Sequence, residues 1–385
     1  MNRLDYGYVT LTKYGEELCG DNVAINRKDN EITLTLADGL GSGVKANILS
    51  ILTCKMLTTM LSNNVSIEEC VNTIAKTLPV CKQREVAYST FTAIHIDDNG
   101  SGYMIEFDNP DAILIKNNKC GNFVREKIDI AGKLIYKTKL NLQPNEYVLV
   151  MSDGATHAGV GLTLNSGWKR EAIMQHLDRR LKPDLSATEL ALMVASACND
   201  LYLNQPSDDT SCMAAGLKKQ VFATVMIGPP AKKNTDNEVV TRLLDSKGYK
   251  IVSGGTTAKI VASFMGQDID MNYPIIDNSV PPISAIKGID LVTEGAITIN
   301  KLCHLIKGYK NNFTLNCKTF SEKDGASLLA DILLNKATDI ELLIGQSMNE
   351  ANQKSAISVE QKQKNINYLI KSLSQLGKKV NAVYY

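Results

Sequence analysis

Ile32-Thr33-Leu34-Thr35-Leu36-Ala37-Asp38-Gly39-Leu40-Gly41-Ser42-Gly43 decides how this chain is read. Apolar residues alternate with threonine from Ile32 to Ala37, the period of a strand with one buried face. The run ends on Asp38, and glycines follow at 39, 41 and 43. Beyond them Val44, Ile48, Leu49, Ile51, Leu52, Met56, Leu57 and Met60 recur at helical spacing, which predicts a helix with one broad apolar face. An acid thus sits at a strand-to-helix junction. Glycine there lets a backbone carbonyl approach a ligand that a side chain would hold off.

Three further acidic motifs border strand-like runs. Gly20-Asp21-Asn22 precedes the first strand, Ser152-Asp153-Gly154 follows the continuous apolar run Tyr147 to Met151, and Asp208-Asp209-Thr210-Ser211 leads into the run Ser211 to Leu217. Each alone reads as an ordinary turn. Together, at strand junctions, they predict a rim of carboxylates that needs cations to neutralise it.

In this order and context, the series GDN, ADGLGSG, SDGATHAG and DDTS resembles the metal-dependent serine/threonine phosphatases of the protein phosphatase 2C type, within them the bacterial SpoIIE-like branch. The resemblance covers roughly residues 5 to 220. It implies a layered α/β sandwich and a hydrolase acting on phosphoserine or phosphothreonine in bacterial cytoplasmic signalling, with a phosphorylated protein as substrate. It also implies roles: Asp38 bridging two metals, the Gly39 carbonyl on one of them, Asp153 and Asp208 on the other, and Asp21 completing the rim directly or through a water. The catalytic residues are then Asp38, Asp153 and Asp208. A donor set of carboxylates and carbonyls, without His or Cys, suits two Mn2+ or Mg2+ ions rather than zinc. Two such ions can activate a shared water for attack on phosphorus, with no phosphoenzyme required.

Some positions stay open at this level. Asp209 either binds a water or caps the turn. His157 departs from the family pattern, in which an acidic residue soon follows Ser-Asp-Gly; it reads as a solvent-facing or structural histidine, or as a proton donor to the leaving group. His95 falls in period with Phe91 and Ala93 and reads as a packed residue. No arginine near the first motif announces a phosphate clamp. By resemblance, the helices after Gly43 form a switch set by a partner or by a homodimer contact, so that helix position controls metal occupancy.

The chain has 385 residues, enough for two domains with independent cores, expected at 1–220 and 221–385. Lysine plus arginine number 42 against 41 aspartate plus glutamate, a net charge of +1 that favours neither nucleic acid nor an anionic membrane as partner. Nine cysteines (Cys19, Cys54, Cys70, Cys81, Cys120, Cys198, Cys212, Cys303, Cys317) are scattered without a C-x-x-C pair, as expected of reduced thiols in the cytoplasm. The N-terminus lacks a signal pattern, and no apolar run is read as a membrane span.

Further elements are predicted in the first domain: a helix starting at the Ser66/Glu69 capping box and ending before Pro79, a hairpin of Phe91–Ile96 and Tyr103–Phe107 about Asn99-Gly100, a strand at Ala112–Ile115, and helices over Trp168–Leu181 and Ser186–Leu203. From about Val221 strands and helices alternate, predicting a mainly parallel α/β accessory domain. Gly254-Gly255-Thr256-Thr257, Thr293-Glu294-Gly295 and Gly345-Gln346-Ser347 follow strands there. Their loops are expected either as plain turns or as a crevice for a small anionic ligand. Two other readings compete for the whole chain. One is a silent phosphatase-fold binding module; the other is a small-molecule phosphate hydrolase. A nucleotide-binding kinase fits less well, since its D-x-G-x-G places the glycines differently.

Overall fold

The computed structural model describes residues 2–28, 30–77, 89–130, 132–270, 283–311, 324–347 and 359–385. Contacts divide the chain into two compact units, Met1–Lys219 and Gln220–Tyr385. The expected helix end near Pro79, together with Cys81 and Cys317, lies outside the described residues.

The first unit opens with β1 (Asn2–Leu11), β2 (Asp21–Lys28), β3 (Glu31–Asp38), α1 (Gly43–Ser62) and α2 (Ile67–Thr77). Strands β4 (Thr90–Asp97), β5 (Ser101–Phe107), β6 (Ile113–Lys116), β7 (Lys119–Gly121), β8 (Glu126–Ile130), β9 (Lys133–Asn141) and β10 (Tyr147–Met151) follow. It closes with α3 (Asp153–His157), α4 (Arg170–Asp178), α5 (Ala187–Leu201) and β11 (Thr210–Lys219). Two antiparallel sheets form, ordered β1-β11-β10-β6-β7 and β2-β3-β4-β5-β9-β8.

Alternation decides how the sheets pack. Ile32, Leu34 and Leu36 of β3 point to one face, where they pack with Ile94, Ile96, Val148, Val150 and Met213 between the sheets. The opposite face of the second sheet, with Ala37, Ala93, Phe91 and Ile105, is covered by Cys54, Leu57 and Leu61 of α1 and Val71 and Ile74 of α2. The product is a layered α/β sandwich. Helix α5 starts on a complete capping box, with Ser186 and Glu189 each bonding the other's backbone amide.

Helix α1 departs from the expected single apolar face. Its buried stripe is Ala46, Leu49, Thr53, Cys54, Leu57 and Leu61, while Val44 (61%), Ile48 (51%), Ile51 and Leu52 are exposed on the other side. It is also, among the described residues, the one helix long and apolar enough by composition to cross a membrane, contrary to the reading that no run is. An all-round apolar helix satisfies that composition test whichever face it buries.

The second unit contains β12 (Phe222–Ile227), α6 (Asp236–Asp245), β13 (Tyr249–Ser253), α7 (Gly255–Met265), β14 (Leu291–Thr293), α8 (Gly295–Asn311), α9 (Gly325–Asp331), β15 (Asp339–Ile344), α10 (Val359–Gln375) and β16 (Lys379–Tyr384). Its sheet is parallel throughout, ordered β14-β13-β12-β15-β16. The buried runs of β12 and β15 have apolar partners on both faces, as a doubly covered parallel sheet requires.

Candidate metal centre

Register brings the first two acids together: Asp21 at the start of β2 pairs with Asp38 at the end of β3. The other two come from the facing sheet. Asp153 is the first residue of α3, directly after β10, and Asp208 precedes β11, which pairs with β10. The structure therefore places all four predicted carboxylates at one end of the sandwich, and their charges act on one another.

Ser152 ties the two pairs across the sheets. Its hydroxyl donates to Asp21 Oδ2 at 2.7 Å and accepts from the Ser211 amide at 2.9 Å. Asp21 is 2% exposed, and its other oxygen, Oδ1, is buried with no hydrogen-bond partner. A buried carboxylate oxygen left unpaired is costly unless a cation takes it. Burial, opposed in part by the Ser152 hydrogen bond and the nearby Ser211 hydroxyl, raises the Asp21 carboxyl to about 7. Burial, the neighbouring charges of Asp21 and Asp153 and a hydrogen bond with Asp153 raise Asp38 to about 9, and burial with the Asp153 charge pushes Asp208 up as well.

Gly39 is at the closest approach of the loop. A Cβ there would lie 2.0 Å from the Ala46 carbonyl oxygen of α1, so no other residue fits, and the loop and helix share a backbone contact. The Gly39 amide also bonds the Gly20 carbonyl at 3.2 Å, linking the first two motifs.

Asp209 takes the structural alternative. Its two oxygens accept from the backbone amides of Lys13 at 2.9 Å and Gly20 at 2.8 Å, and it is 3% exposed, so it fastens the β1–β2 loop beneath Asp21. His157 lies on the rim. Its Nδ1 is 3.8 Å from Asp153 Oδ2, one helical turn away, and ligand-type atoms of Asp153, His157 and Asp208 all lie within 4.8 Å of one another. The i,i+4 spacing from Asp153 was the signal in the sequence. Lys13 supplies a cation whose charge acts on Asp208, where the sequence announced no arginine clamp. His95 is away from the rim, bonded to Thr33 Oγ1 at 2.9 Å and stacked near Tyr103.

This donor set fits hard divalent cations: oxygen donors, one of them buried and unpaired, beside a glycine whose close packing admits no side chain. Asp21, Asp38, Asp153, Asp208 and the Gly39 carbonyl are the residues that would hold them.

A family model described as stage II sporulation protein E (SpoIIE) matches residues 28–218, a span that begins after Asp21 and takes in Asp38, Asp153 and Asp208. No curated protein matches the chain at a significant level. Among solved structures, it is similar to the PP2C phosphatase domain with a fragment of the regulatory domain of SpoIIE from Bacillus subtilis, at 18% identity over 56% of this chain and 64% of that one, with a TM-score of 0.48. The chain thus spans less than two thirds of that structure. It is also similar to the phosphatase domain of the same protein in a crystal form without domain swapping, at 17% identity over 56% and 93% of the two chains, TM-score 0.44. RsbX in complex with magnesium shows 17% identity over 56% and 96%, TM-score 0.40.

The raised carboxyls fix a sign for pH dependence. From about pH 4 to about 9 the folded, metal-free protein binds more protons at Asp21 and Asp38 than the unfolded chain, so these groups cost it stability as pH rises through that window. Cation binding displaces those protons and removes the loss. The difference in Tm between Mn2+ and EDTA, measured by calorimetry, should therefore widen by several degrees from pH 6 to pH 8.5 in the wild type and much less in Asp38→Asn. A difference that narrows with pH would contradict the assignment.

Proposed function

We propose that this chain, whose residues 28–218 match the SpoIIE family model, is a metal-dependent serine/threonine protein phosphatase of bacterial cytoplasmic signalling. The observation that carries the reading is the convergence of the buried Asp21 with the half-buried Asp38, Asp153 and Asp208, with an unpaired Asp21 oxygen among them. Four carboxylates in one place are a liability for any role that does not use cations. A silent binding module has no need of them.

Two Mn2+ or Mg2+ ions, when bound, supply Lewis-acid neutralisation of the phosphoryl group and a hydroxide nucleophile at neutral pH. The protein's part is orientation. Ser152 holds Asp21 by one oxygen and leaves the other open, Asp209 pins the loop that carries it, and the Gly39–Ala46 contact sets the height of the metal loop. Lys13 offers charge to a phosphoryl oxygen. His157, exposed at the end of α3 and near Asp153, is placed to donate a proton to the leaving seryl oxygen.

The exposed stripe Val44, Ile48, Ile51 and Leu52 supports a second copy of the chain as the partner of α1. The exposed charges of α1 are Lys45 and Lys55, which flank this apolar stripe. Through the Gly39–Ala46 contact, that pairing would bear on the metal loop.

Three outcomes test these statements. Hydrolysis of p-nitrophenyl phosphate and of a phosphoserine peptide should require Mn2+ or Mg2+, and Asp38→Asn and Asp153→Asn should each lower kcat by about 100-fold or more; metal-independent turnover or full activity in both variants would sink the two-metal reading. His157→Gln should slow the phosphoserine peptide by about 100-fold while p-nitrophenyl phosphate, whose leaving group needs no proton, is little changed; equal losses on both substrates would assign the histidine to structure. Ile48→Glu should shift the protein from dimer to monomer in light scattering, and a wild type that is monomeric at high concentration would remove the dimer.

A further inference from the structure

The second unit holds a cavity of about 440 Å³ at the carboxyl ends of its parallel strands, outside anything the phosphatase chemistry uses. Strand order explains its position. The chain runs outward from the central β12 to β13 and β14, then crosses back to β15 and β16 on the other side of β12, a reversal of strand order that leaves the strand ends there uncovered. The loop backbones are tied together there: the Gly228 amide bonds the Ser253 carbonyl at 3.1 Å, Gly254 bonds Thr293 at 2.8 Å, and Gly345 bonds Ile227 at 3.0 Å.

Two helices begin at this cavity. Gly254, at φ +129° where only glycine is at ease, turns β13 into the eleven-residue α7, and Glu294-Gly295 turns β14 into the seventeen-residue α8. Both helix starts line the cavity, so two positive dipole ends meet in it. Of the three loops expected to form a crevice, Gly254–Thr257 and Thr293–Gly295 line it, whereas Gly345-Gln346-Ser347 does not and touches lining residues instead, Gly345 bonding Ile227 and Lys362 and Ser347 bonding Pro229.

A second observation points to a ligand independently of the helix ends. Thr257, fully buried in the first turn of α7 and lining the cavity, has a hydroxyl oxygen with no hydrogen-bond partner. A buried hydroxyl left unpaired is an uncompensated cost that a bound acceptor would relieve. Across the cavity Lys362 of α10 places its ammonium 3.1 Å from the Gly345 carbonyl, and burial pulls its pKa down from the ordinary lysine range. An anion would compensate that desolvated charge. One acid also lines the cavity: Glu294 stands beside Gly255, suited to accept from hydroxyl groups rather than to meet a phosphate.

We propose that this cavity binds a small phosphate ester, its phosphate on the amino-terminal ends of α7 and α8 against Lys362 and Thr257, and its hydroxyl-bearing part on Glu294. The volume lies in the range of small-molecule sites and exceeds what a bare phosphate fills. The proposal does not rest on the phosphatase reading.

Calorimetric titration of the full chain in EDTA, where the acidic rim holds no cation, tests it with AMP and glucose 6-phosphate as probes, inorganic phosphate as the minimal anion, and adenosine and glucose as uncharged counterparts. Saturable binding of at least one ester is expected, with weaker binding of inorganic phosphate and none of the uncharged compounds. Lys362→Met should weaken that binding about tenfold or more and Thr257→Val about threefold or more, while Lys362→Arg, which keeps the charge, retains it. Absence of binding by either ester, equal binding of the uncharged counterparts, or undiminished affinity in Lys362→Met with an unchanged Tm would overturn the proposal.

Discussion

The mutual repulsion of carboxylates gathered where two sheets meet is the constraint around which the first unit is built. Two carboxylates 4–5 Å apart repel by about 3–4 kcal/mol at an effective dielectric of 20, less where water screens them. Burial adds to the cost, and the protein answers it by keeping protons on Asp21 and Asp38 well above the usual carboxylate range. Nothing in local sequence would hold such a cluster together. The packed layer of Leu34, Ile94, Val150 and Met213 between the sheets does, because it fixes both strand ends that carry the acids.

Around that cluster the polar connections are few and each has one task. Ser152 bridges the sheets through a single hydroxyl, and Asp209 holds two amides of the β1–β2 loop. The packing of Gly39 against Ala46 is a steric connection, and it is the stiffest of them, since backbone meets backbone with no side chain to yield. The second unit is built on another principle: a parallel sheet with helices on both faces leaves its loops at the carboxyl edge, so any ligand chemistry it has must lie there.

How far these arrangements are legible in the sequence varies with the element. Strands such as Tyr147–Met151, an unbroken apolar run, and Phe222–Ile227, interrupted only by the buried Thr224, are legible to the residue because both faces are largely buried. β8 and β9, with Glu126, Lys127, Lys133, Lys137 and Lys139, are not, since they lie at a sheet edge where one face meets water and the pattern reads as polar loop. Helix α1 was legible as a helix and misleading as to its face, because an apolar residue looks the same whether it packs on a sheet or is left exposed. Asp209 could not be assigned beforehand: its partners Lys13 and Gly20 are 196 and 189 residues away.

Periodicity and residue chemistry, which are local, determined the strand ends, the helix after Gly43, the order of the acidic motifs and their supply of carboxylate oxygens. Tertiary structure alone decided that Asp21 and Asp38 share a register, that one Asp21 oxygen is buried and unpaired, that His157 and Lys13 stand beside the acids, and that α7 and α8 begin at one cavity. The physical reason is range. Backbone pattern depends on neighbours a few residues away, whereas desolvation, charge repulsion and hydrogen-bond satisfaction depend on whatever the fold brings within a few ångströms, however distant along the chain.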